Sequence, residues 1–109
     1  WLDDEESEVM MNTSKEHAQN LLEKARESYE KGFIETAKEY WSSVTAAMDL
    51  FTYATAQFDL GWVYQTENNV SESKKHYLNI TVDMNQVLYS NAMNNIAFFL
   101  GWPSIWILE

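Results

Sequence analysis

The chain has 109 residues, with 17 acidic and 7 basic side chains, a formal net charge of −10 and no cysteine. This length fits one domain, and the negative charge excludes nucleic acid and anionic membrane surfaces as expected partners. Apolar residues make up 46% of the chain, while one proline and three glycines leave few turn formers. The composition therefore predicts a globular, helix-rich protein without disulfides or cysteine-bound zinc. No apolar run is long enough for a membrane span.

Residues 1–12 form an acidic N-terminal segment. The acidic side chains are those of Asp3, Asp4, Glu5, Glu6 and Glu8. A basic partner or a calcium ion is one interpretation, but the spacing fits no EF-hand loop. We expect a solvated, flexible terminus, as is typical of such charge runs.

Five helices are predicted after this segment, over residues 14–31, 34–50, 52–67, 71–89 and 90–100. Thr13 and Glu16 have the spacing of a capping box at the first helix, and Ser71 is a candidate cap for the fourth. Gly101, Trp102 and Pro103 are expected to end the fifth. The short connections predict antiparallel neighbouring helices.

The second predicted helix introduces an internal repeat. Its apolar positions are spaced by three and four residues, as on one helix face: Ile34, Ala37, Trp41, Val44, Met48 and Phe51. Positions 36 residues later have a closely similar pattern: Val70, Ser73, Tyr77, Ile80, Met84 and Val87. We infer a repeat of 36 residues, in which Trp41 and Tyr77 are core residues.

Two further features follow the same period. Ala25, Gly61 and Ala97 place a small residue at one position of the first, third and fifth helices, as close helix packing requires. Gly32 and Asn68 are also 36 residues apart, and both residue types tolerate the left-handed conformation that ends a helix.

These residues resemble the tetratricopeptide-repeat (TPR) family over residues 18–100. Leu60-Gly61 followed by Tyr64 is similar to the first-helix motif, and Gly32, Ala37 and Trp41 are similar to the turn and second helix. The period exceeds the family's roughly 34 residues, and the usual closing proline is absent.

The resemblance implies an all-α fold of antiparallel helical hairpins, stacked as a short TPR-like solenoid of about two and a half repeats. The first repeat would cover residues 13–53, the second 54–89, and a partial third with an aromatic C-terminal tail 90–109. The alternative is an unrelated helical bundle with accidental periodicity.

In such a solenoid the first helix of each pair lines a concave groove. The resemblance assigns these residues to that groove: Gln19, Leu22, Arg26, Tyr29, Thr55, Phe58, Trp62, Gln65, Asn91, Asn94 and Phe98. Phe58, Trp62 and Gln65 are expected to lie away from the neighbouring helix. Aromatic side chains edged by amides suit a peptide with apolar anchors. Alternatively, the aromatics are buried against a further helix.

Few signals point to chemistry. His17 and His76 are predicted surface residues, since Glu72 and His76 alone make a poor metal site. Asn79 belongs to a glycosylation sequon but is predicted to lie within a helix, so secretion receives little weight. No phosphate loop, nucleophile motif or carboxylate pair is present. The sequence predicts no cofactor, no metal and no enzymatic activity.

The C-terminal segment is the most hydrophobic part of the chain. Its candidate self-association residues are Phe99, Trp102, Ile105 and Trp106. The segment either folds back as a cap, pairs two chains as a homo-oligomer, or continues in a longer protein.

The function expected first is a non-catalytic interaction module, cytoplasmic by default. It would act as an adaptor, assembly factor or chaperone and bind a peptide or partner subunit. A structural self-assembly unit is the second hypothesis, and an enzyme or metal protein the third.

Overall fold

The computed structural model describes residues 4–99, apart from the side chains of Asp4 and Ser7. The described residues form five α-helices and no strand, which confirms the all-α prediction. The helices are α1 (Asp4–Glu30), α2 (Ile34–Ser43), α3 (Leu50–Thr66), α4 (Val70–Leu78) and α5 (Gln86–Phe99).

Helix α1 begins much earlier than predicted. It starts at Asp4 rather than Ser14, so Thr13 lies inside the helix, where its hydroxyl donates a hydrogen bond to the Val9 carbonyl at 2.9 Å. The predicted capping box of Thr13 and Glu16 is therefore wrong. Acidic residues near the start of α1 favour this beginning because they interact well with the positive end of the helix dipole.

Helices α2 and α4 are shorter than predicted, because the apolar pattern continues into the loops that follow them. The backbone of Val44 is extended, with φ −78° and ψ 122°, so Val44 lies outside α2, although its side chain is buried. Ile80, just after α4, is also buried. The apolar spacing predicted the burial of the central positions, from Ala37 to Val44 and from Ser73 to Ile80, but Phe51, Val70 and Val87 are exposed. The helices themselves end at Ser43 and Leu78.

Side-chain caps begin the helices that follow these loops. The Asp49 carboxylate accepts from the Thr52 amide at 3.0 Å, and Asn85 Oδ1, 36 residues later, accepts from the Leu88 amide at 3.1 Å. Such caps satisfy backbone donors that have no partner within the helix. Asn69 caps α4 in the same way, so the prediction for Ser71 is wrong.

The turns after α1 and α3 confirm the left-handed positions. Gly32 has φ 87° and Asn68 has φ 61°. The amide of Gly32 donates to the Tyr29 carbonyl, and the amide of Asn68 donates to the Gln65 carbonyl. The local backbone hydrogen bonding therefore has the 36-residue period of the sequence.

The chain divides into two compact units, of which the first ends at Ala56. In this unit α1 packs against α2. The buried residues include Ala25 of α1 and Ala37 and Trp41 of α2, while the ring of Tyr29 lies 6.0 Å from that of Trp41. The core assignment of Trp41 is confirmed.

The second unit begins at Gln57 and contains most of α3, with α4 and α5. Gly61 of α3 faces the Tyr77 ring of α4, and the Ser73 hydroxyl donates to the Gly61 carbonyl at 2.7 Å. Tyr77 is fully buried, which confirms its core assignment. The close approach predicted from small residues is present at Gly61.

Gly61→Ala tests this approach. A Cβ atom at Gly61 would lie 2.5 Å from the Tyr77 ring, so the ring or the helix must move. Overpacking of this kind costs about 1–3 kcal/mol, against a gain of about 1 kcal/mol in helix propensity. We expect a lower free energy of unfolding in urea denaturation. Greater stability of Gly61→Ala would contradict the packing described.

None of the helices within residues 4–99 combines the length and apolar character needed to cross a membrane.

Candidate interaction surface

The predicted groove residues of the first unit differ in exposure. Leu22 and Tyr29 are half-buried, and Arg26 is exposed. Gln19 is exposed and Thr55 half-buried. Their assignment to a groove stays a prediction.

In the second unit, Tyr77 joins residues from three helices. Its hydroxyl donates to Gln65 Oε1 of α3 at 2.8 Å and accepts from Asn95 Nδ2 of α5 at 3.1 Å. Its ring also lies 5.4 Å from that of Phe58. Burial raises the pKa of Tyr77 above its ordinary value.

Phe58 and Gln65 were expected to lie away from the neighbouring helix, and this expectation is wrong. Both contact Tyr77 of α4 and are half-buried. They stand three residues before and four residues after Gly61, on one helix face. Since Gly61 has no side chain, the Tyr77 ring can reach both.

Trp62 and Phe98 have the exposure that a binding surface needs. Trp62 of α3 is 43% exposed and Phe98 of α5 is 67% exposed. They are 36 residues apart and hold the same repeat position in the second unit. We name the two aromatics, with the exposed amides of Asn91 and Asn94, the aromatic surface.

Each of these aromatics lies about one helical turn from a residue that bonds to Tyr77. Trp62 precedes Gln65 by three residues, and Phe98 follows Asn95 by three.

The predicted self-association residues lie mostly outside the described residues. Phe99 is 67% exposed. Trp102, Ile105 and Trp106 lie beyond residue 99, and their assignment stays a prediction.

His76 is not the surface residue predicted from the sequence. Its side chain is only 14% exposed and stacks on Tyr64, with ring centroids 5.5 Å apart. Its Nδ1 lies 2.8 Å from Gln57 Oε1, and its Nε2 lies 3.6 Å from a Glu72 carboxylate oxygen. Gln57 lies in α3 and His76 in α4, so the packing of two helices brings them together. No residue spacing within one helix could have predicted this contact. His17 is exposed, as predicted.

This environment predicts a pH dependence of stability. Burial lowers the pKa of His76 despite the opposing effect of Glu72, so the unfolded chain binds a proton more readily than the folded one. Stability is therefore expected to fall as the pH drops from the ordinary histidine value of about 6.5 towards the folded value.

Urea denaturation between about pH 7.5 and about pH 5.5 measures this effect. His76→Gln should reduce the loss of stability on acidification, while the matched change His17→Gln at an exposed site should leave it unchanged. An equal loss in wild type and His76→Gln would contradict the assignment.

Asn79 lies at the C-terminal end of α4 rather than within a helix, and its side-chain Nδ2 donates to Gln57 Oε1 at 2.9 Å. In the described part of the chain, no three histidine or carboxylate side chains are grouped as a metal site would require.

Sequence reasoning missed a second surface, in the first unit. An open cavity of about 680 Å³ lies between α1 and the loop before α3, and Met10, Met11, Met48 and Leu50 contribute to its lining. The prediction of a flexible segment up to residue 12 excluded Met10 and Met11 from the fold, so no cavity was expected there. Acidic residues ahead of Val9 and Met10 were the available signal for an earlier helix start.

Comparison with models of protein families, with curated proteins and with solved structures gives no match to this chain.

Proposed function

We propose that this protein is a non-catalytic interaction module that binds a peptide or partner subunit through the aromatic surface. In this proposal the helical hairpins stack as a TPR-like solenoid, and Trp62 and Phe98 lie in its groove. The protein would serve as an adaptor, assembly factor or chaperone.

The supporting observation is the repeated exposure of a large aromatic at one helix position. Trp62 and Phe98 remain substantially exposed, although Tyr77 and Ile96 in the same unit are buried. Aromatic side chains provide much of the binding energy at protein interfaces, where they are removed from water. Asn91 and Asn94, both exposed, supply amides that can bond a peptide backbone.

A second candidate function is self-assembly through the C-terminal segment. The exposed Phe99 favours it, since it adds apolar surface beside Phe98. A molar mass that rises with protein concentration in light scattering, and falls in Phe99→Glu, would support this candidate.

An affinity pull-down from source-cell lysate tests the first proposal. Wild type, Trp62→Glu and Val87→Glu are compared, since Val87 of α5 is an apolar residue outside the aromatic surface and is 68% exposed. We expect one stoichiometric partner with wild type and Val87→Glu, and none with Trp62→Glu. Equal capture by all three proteins would reject the aromatic surface as the binding site.

A further inference from the structure

The cavity of the first unit has an apolar floor that remains accessible. Met11 is 68% exposed, Met10 58% and Leu50 52%, and all three contribute to its lining. We name the cavity lined by Met10, Met11, Met48 and Leu50 the methionine groove. Unbranched methionine side chains adapt to apolar partners of varied shape.

The groove belongs to a part of α1 that the repeat does not require. Helix α3 begins at Leu50, which corresponds to Ser14 in α1, yet α1 begins at Asp4. Met10 and Met11 therefore lie on an N-terminal extension of α1. Exposed apolar groups on such an extension add little to folding, so a binding role accounts for them better.

The charges beside the groove indicate which partner fits. Glu8 precedes Met11 by three residues, so it lies about one helical turn before Met11, beside the residues that line the groove. Glu8 is exposed. Asp49 in the lining is held as the cap of α3 by its bonds to Thr52. An exposed carboxylate therefore lies next to the groove at the end nearer the start of α1, where it can receive a cation.

The opposite end of the groove is positively charged. Lys15 follows Met11 by four residues on α1 and also lines the groove. The groove thus runs from the exposed carboxylate of Glu8, over methionine and leucine, to a lysine. A complementary ligand has aliphatic side chains next to a basic end, and electrostatic complementarity fixes its direction.

We propose that the methionine groove binds an amphipathic peptide segment of another protein, with aliphatic anchors flanked by lysine or arginine. The anchors contact Met10, Met11, Met48 and Leu50, and the basic flank lies against Glu8. This surface shares no residue with the aromatic surface and does not depend on its function.

Fluorescence anisotropy with synthetic peptides tests the proposal on the full chain. The probe is a labelled peptide of alternating leucine pairs and lysine pairs, and the matched peptide has glutamate in place of lysine. Met11→Asp is compared with Val87→Asp, because both sites are 68% exposed and both variants add one negative charge. General attraction of the basic peptide is thereby equal in the two variants.

We expect the lysine peptide to bind wild type and Val87→Asp alike, and Met11→Asp about tenfold more weakly, since the anchor contact is lost. Leu50→Asp on the opposite wall should weaken binding similarly, and Trp62→Glu should not. Circular dichroism establishes that each variant keeps its helices.

Three outcomes would overturn the proposal. The first is equal weakening by Met11→Asp and Val87→Asp, which would mean that only charge attracts the peptide. The second is equal binding of the glutamate peptide. The third is tighter binding of a peptide copying residues 100–109, which would assign the groove to the chain's own C-terminal segment.

Discussion

Tyr77→Ala is expected to lower the free energy of unfolding by about 3–5 kcal/mol, the range for removing a large aromatic from a core. The ring is fully buried against Gly61 and lies 5.4 Å from the ring of Phe58. Its loss also leaves Gln65 and Asn95 without their bonds to the hydroxyl. Cavity formation and lost hydrogen bonds act in the same direction.

Tyr77→Phe separates the two contributions. It keeps the ring and removes only the hydroxyl, so we expect a loss of about 1–3 kcal/mol from the polar groups left unpaired. Urea denaturation followed by circular dichroism measures both variants. A loss below about 1 kcal/mol for Tyr77→Ala would mean that Tyr77 does not organise the second unit.

Trp62→Glu is expected to have the largest effect on function. Truncating an interface tryptophan often costs about 2–4 kcal/mol, which corresponds to about 30-fold weaker binding or more. Glutamate adds a charge that would have to lose its water at the interface. Because Trp62 is 43% exposed, the substitution should leave the helical fold largely intact.

Phe98→Ala provides a second measure of the same surface. Phe98 holds the repeat position of Trp62 and is more exposed, so its removal is expected to weaken binding with little effect on stability. Val87→Glu is the control for an added charge on α5, and it should bind the partner like wild type. Equal weakening by Val87→Glu and Trp62→Glu would indicate a nonspecific charge effect.

The repeat could be predicted from the sequence because its turns and its apolar stripe depend on residue types at short spacings along the chain. A left-handed position needs a residue such as Gly32 or Asn68, and both adopt that conformation. Large apolar residues at helical spacing are usually buried, and Trp41 and Tyr77 are buried. The number of helices and their turns could therefore be inferred from residue types alone.

The helix ends were harder to predict, because an apolar pattern indicates which residues are buried but not whether their backbone is helical. Val44 and Ile80 continue the apolar pattern while lying outside the helices. Asp49 and Asn85 mark the next helix starts through their caps, and aspartate and asparagine are common in that role. Greater weight on these two residues would have placed the boundaries better.

The polar contacts of the second unit could not be predicted at all. Tyr77 bonds to Gln65 and Asn95 across separate helices, and His76 meets Gln57 in the same manner. These partners are brought together by tertiary packing, which a single sequence does not encode at any fixed spacing. The exposure of Trp62 likewise depends on what packs around it.

Calorimetric titration of the captured partner into wild type and Trp62→Glu tests the proposed function most directly. The account predicts saturable binding to wild type and binding at least about 30-fold weaker to Trp62→Glu, with unchanged helix content. Equal affinity for the two proteins would contradict it and would place the partner on another surface.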